Sequence, residues 1–79
     1  MIQDKRAAAE VSSRMLKING ALDDAICFVR DHCSAEELEQ FKLAVGEVMY
    51  TVFEKTIIPI YKEHPDLVPD GQRVSGITD

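Results

Sequence analysis

Apolar residues recur in steps of three and four along the first part of the chain: Ala8, Val11, Met15, Ile18, Leu22, Ala25, Ile26, Val29 and Cys33. At about 100° per residue they fall in one stripe about 100° wide, the pattern of an amphipathic helix docked on a core. The spacing predicts a single helix from about Gln3 to His32. Its steps are heptad-like, which predicts near-parallel packing on a second long helix. Asn19-Gly20 interrupts the composition, because Gly costs about 1 kcal/mol against Ala in a helix and the pair is a turn signal. The stripe keeps its phase through the pair, so a continuous helix is expected, the alternative being a break followed by a short helix from Ala21 to Arg30. Leu16, Cys27 and Phe28 lie off the stripe, and a residue as large as Phe28 there hints at a second contact.

The junction that follows reads as the corner of a helical hairpin. With Ser34 as N-cap, Glu37 falls at N3 and can reach back to the Ser34 amide, forming a capping box. The same register sets Cys33 at N′ and Leu38 at N4, the two positions of a hydrophobic staple. A second helix is predicted over about 35–63. Its main stripe is Leu38, Phe41, Val45, Val48, Met49 and Val52, facing the first helix. A second apolar line, Leu43, Tyr50, Ile57 and Tyr61, with Phe53 between the two, faces away from it. One partner helix cannot cover both, and a helix apolar over so much of its surface is expected to be buried. Pro59 removes a backbone hydrogen bond and clashes with the Lys55 carbonyl, which predicts a kink near Thr56-Ile57-Ile58 with helix resuming to Glu63.

From Pro65 the composition shifts to turn and breaker residues, so 65–79 is expected to be an irregular tail, separate from the hairpin of 1–64. Leu67 and Val68 could fold back on the hairpin, and Gln72 to Asp79 should be frayed or disordered. The expected fold is therefore all-α: an antiparallel two-helix hairpin that dimerises into a four-helix bundle.

Size supports that pairing. A chain of 79 residues is near the length at which one domain buries only about 60% of its unfolded surface and needs a disulfide, a metal or another subunit. Cys27 and Cys33 are six apart, too far along a helical path for a disulfide, and no Cys/His spacing fits zinc. No segment has the roughly 18 apolar residues of a membrane span, and the polar opening lacks a secretory core. A cytoplasmic protein with free thiols and no membrane association is expected. The net charge of −5, with its bases interleaved among acids, argues against nucleic acid as a partner.

Candidate chemistry is sparse. His32-Cys33 is the one place where a nucleophile adjoins a possible base, and a thiolate is favoured near a helix N-terminus. Chain neighbours rarely point at each other, however, and the staple already accounts for Cys33. Glu36 and Glu37 beside them are read as acids favouring a helix start, and neither helix has the Glu-x-x-His pair of di-iron bundles. Tyr50 and Tyr61 suit a protein interface better than a small-molecule site. No catalytic residue, metal ligand or cofactor is therefore expected. The expectation is a small non-enzymatic structural or regulatory protein that acts as a homodimer through Leu43, Tyr50, Phe53, Ile57 and Tyr61. The alternatives are docking of a different protein, as by a chaperone, an antitoxin-like partner or an assembly subunit, and thiol or metal chemistry at His32-Cys33.

Overall fold

The structure, a computed structural model, describes residues 1–68. The expected fraying of Gln72 to Asp79 lies outside the described residues. Within them the fold is all-α, a hairpin of two long helical arms. Helix α1 runs Lys5–His32 without a break. Asp4 caps it by accepting from the Ala7 amide at 3.1 Å, and Arg30 and His32 in its last turn suit the negative end of the helix dipole. The chain stays helical through Asn19-Gly20 because Asn19 is put to use. Its Nδ2 donates to the Met49 carbonyl oxygen across the hairpin at 3.1 Å, while Gly20 faces open space.

Helix α2, Ala35–Val52, begins at the predicted capping box. The Glu37 amide donates to Ser34 Oγ at 3.1 Å and the Ser34 amide donates to Glu37 Oε1 at 3.0 Å. Two of the helix's otherwise orphaned donor groups are thereby paired, one by each side chain. Beside them, Leu38 is half-buried and Cys33 exposed.

The arm continues to Glu63, but not as a plain α-helix. Phe53–Ile57 form a π-helical turn, followed by α3, Ile58–Glu63. Pro59 is the physical cause: in an α-helix its ring would press on the Lys55 carbonyl and its missing N–H would leave that carbonyl without a donor. The wider turn absorbs the misfit, with the Ile58 amide reaching back five residues to Phe53. Thr56 Oγ1 also donates to the Val52 carbonyl. The expected kink is thus a one-residue expansion, and it corrects a second expectation. An extra residue in the turn sets every later side chain back by about 100°. Ile57 and Tyr61, expected on the outward line, are turned inward and join Ile60 in the core.

That core lies at the end of the hairpin away from its turn. Ala8, Ile57, Ile60 and Tyr61 form its centre, with Ile2, Val11, Met15, Val52, Phe53, Leu67 and Val68 packed around them. Leu67 and Val68 arrive there as expected, after a 3-10 turn over Pro65–Leu67. Polar contacts fasten the wrapping: His64 Nε2–H donates to the Ile2 carbonyl at 2.7 Å, the Met1 amino group pairs with Glu63, and Lys5 pairs with Asp66.

Candidate functional site

The predicted second line does not survive as one surface. Leu43 and Tyr50 stand 68% and 67% exposed. Ile57 and Tyr61 are buried in the chain's own core, and Phe53 packs against it. Only the half of the line before the π-helical turn faces outward.

A different apolar face opens beside it. The sequence stripe of α1 is not centred on α2. Contact falls on its flank, where Ala8 and Ser12 are buried and Asn19 bonds to α2. The opposite flank is left over: Ile18 is 47% exposed, and Ala25 is half-buried. On α2, Val48 is 50% exposed, while Phe41 is half-buried. These leftover flanks lie on the same side of the hairpin, since Val29 and Cys33 of α1 line a common groove with Glu37, Gln40 and Phe41 of α2. On the other side, near the core end, the returning chain brings Tyr61 and Leu67 beside Ala9, Ser12, Ser13, Leu16 and Lys17 of α1, where they line a second groove. The returning chain flanks that side of the hairpin, and the side that carries Ile18 and Val48 is the open face.

Phe28, off the stripe in sequence, is 61% exposed at the edge of the open face. It stacks on His32 with ring centroids 4.1 Å apart and planes 16° from parallel. His32 Nδ1–H donates to the Phe28 carbonyl at 3.0 Å, which fixes the ring against the helix end. The neighbouring thiol is not drawn into this arrangement. Cys33 is exposed and Cys27 half-buried, both as free thiols. Among the described residues no group of three His, Cys, Asp or Glu side chains is gathered as a metal site would require.

The electrostatics are local. Hydrogen bonds from the Ser34 backbone and hydroxyl hold the Glu37 carboxyl below its ordinary range. A hydrogen bond from Lys5 does the same to Asp66, and burial pushes the Tyr61 phenol up. Arg30 is held charged even more firmly by its hydrogen bond to Asp31.

Two residues escaped the sequence reading. Ser12 is 6% exposed, its hydroxyl turned back to the Ala9 carbonyl at 3.1 Å, so that a small side chain stands at the helix contact. Asn19 ties the two arms together, and its Oδ1 is buried without a partner. Both lie on the flank of the apolar stripe beside Ala8 and Ile26. That position was the available signal, hidden by their polarity.

No protein-family model matches the chain, and no curated protein or solved structure matches it. Among the described residues no helix is long and apolar enough to cross a membrane.

Proposed function

We propose that the chain is a non-enzymatic interaction protein that works as a homodimer, two hairpins closing their open faces on each other to form a four-helix bundle. One observation carries this reading: each long helix uses one flank of its apolar stripe inside the chain and leaves the other flank, with Ile18 and Val48, facing solvent, and Phe28 stands exposed at the edge of that face. Exposed apolar surface gathered on one face marks an association site. A second copy supplies two further helices of complementary stripe, so that all four stripes point at one axis. The role is structural or regulatory, set by what the assembled bundle presents.

Sedimentation equilibrium tests this. The wild-type chain is expected to be a dimer at micromolar concentration, and Ile18→Glu with Val48→Glu should give a helical monomer. A well-folded wild-type monomer under those conditions would sink the proposal. A second reading, docking of a different protein, is favoured by Leu43 and Tyr50, which stand exposed one heptad apart on the outer side of α2. Such a partner would bind the outer side with the dimer intact, and Leu43→Ser with Tyr50→Ser would abolish binding without changing the sedimentation of the chain alone.

A further inference from the structure

Charge is divided along the hairpin in a way that the fold makes visible. The turn half, residues 20–48, carries seven acids and two bases, whereas residues 1–19 with 49–68 carry six bases and five acids. If two open faces meet with their turns at the same end, net −5 is stacked on net −5. With the turns at opposite ends, each acidic half meets the slightly basic half of the other copy. We propose, resting on the dimer reading above, that the second copy docks antiparallel, turn half over core half, with α1 against α1 and α2 against α2 of the partner.

One pair of side chains marks where the twofold axis passes. Glu37 lines the open-face groove, and a twofold at Gly46 sets it against the exposed Lys55 of the second copy. Gly46 lies near mid-height of the hairpin, where Asn19 of α1 bonds to Met49 of α2. Among the described residues, Lys55 has no ion-pair partner in its own chain. The same-end arrangement would instead set α1 against α2 of the partner, bringing Lys55 to Arg14. Like-charge pairs disfavour that alternative, and complementary potentials fix register in this way at many interfaces.

Cys33 supplies the test, since it is exposed at the turn. In the full chain carrying Cys27→Ser, a spin label on Cys33 should report a label-to-label distance of about 39 Å in the dimer, some 26 helical rises of 1.5 Å. A distance under about 20 Å, near the spacing of adjacent helices plus label arms, would overturn the antiparallel docking and leave the dimer standing. A chain that sediments as a monomer would remove both. Charge reversal gives an independent reading. Lys55→Glu should raise the dimer dissociation constant about three- to tenfold through its two symmetric pairs. An unchanged constant would also overturn the antiparallel arrangement.

Discussion

The two ends of this hairpin are built from similar residues and reach different outcomes. At the core end Ala8, Ile57 and Ile60 lose all exposure and Tyr61 nearly all. At the turn end, among Leu22, Ile26, Phe28, Val29, Leu38, Phe41, Leu43, Val45 and Val48, only Val45 is buried. Hydrophobicity does not distinguish them; a third layer does. Where α3 and the segment after it return across α1, side chains are enclosed from more than two directions. Where only α1 and α2 face each other, each stripe is covered on one flank. A pair of helices is too thin to hide its own apolar surface, which is why small helical domains add a chain segment or a subunit.

The sharpest way to break the comparison is to remove the same kind of mass from each end. Ile60→Ala should cost about 2–5 kcal/mol, because the side chain is fully enclosed and leaves a cavity. That is a large share of the roughly 5–15 kcal/mol that holds a domain together. Phe28→Ala, measured by urea unfolding at a concentration where the chain is monomeric, should cost no more than about 0.5 kcal/mol. Equal losses would mean that the two ends are not different after all. The turn end should depend more on its cap than on its contacts, so Ser34→Ala is expected to cost about 1 kcal/mol in thermal unfolding by removing one arm of the capping box.

The smallest effects are in pH. The Tyr61 phenol is raised by burial, so the folded state holds its proton more tightly than the unfolded state does. Its contribution is complete below the ordinary phenol value near 10 and is lost as pH climbs through the raised one. Tyr61→Phe should flatten the alkaline limb of a stability profile. Asp66 is lowered by Lys5, so its contribution is complete above the ordinary carboxylate range and fades as pH falls through the lowered value. Asp66→Asn should soften the acid limb slightly, the pair being solvent-exposed.

The hairpin, its capping box and the uninterrupted α1 were legible because each rests on local rules: stripe phase, cap chemistry and the reach of one side chain to a backbone a few residues away. Ile57 and Tyr61 were misplaced for an equally physical reason. A wheel of constant pitch carries an error of one residue past a π-helical turn, and Pro59 alone could signal a disturbance without saying that the helix would widen rather than bend. The open face was legible only in part. Ile18 and Val48 were read as core because a stripe does not state which flank its partner covers, and that depends on the crossing of two helices fixed by Ser12 and Asn19.

The π-helical turn also bears on how the length of this chain can vary. It is in effect one residue more than an α-helix needs between Val52 and Ile58, and side chains beyond it are already phased as though that residue were absent. A variant shortened by one residue within 53–56, with Pro59 replaced by Ala to suit the narrower turn, would keep Ile57, Ile60 and Tyr61 facing the core. The same deletion in the middle of α2 would rotate everything after it out of phase. Once Pro59 is replaced, a single-residue loss is therefore neutral in one turn of this arm and ruinous a few turns earlier.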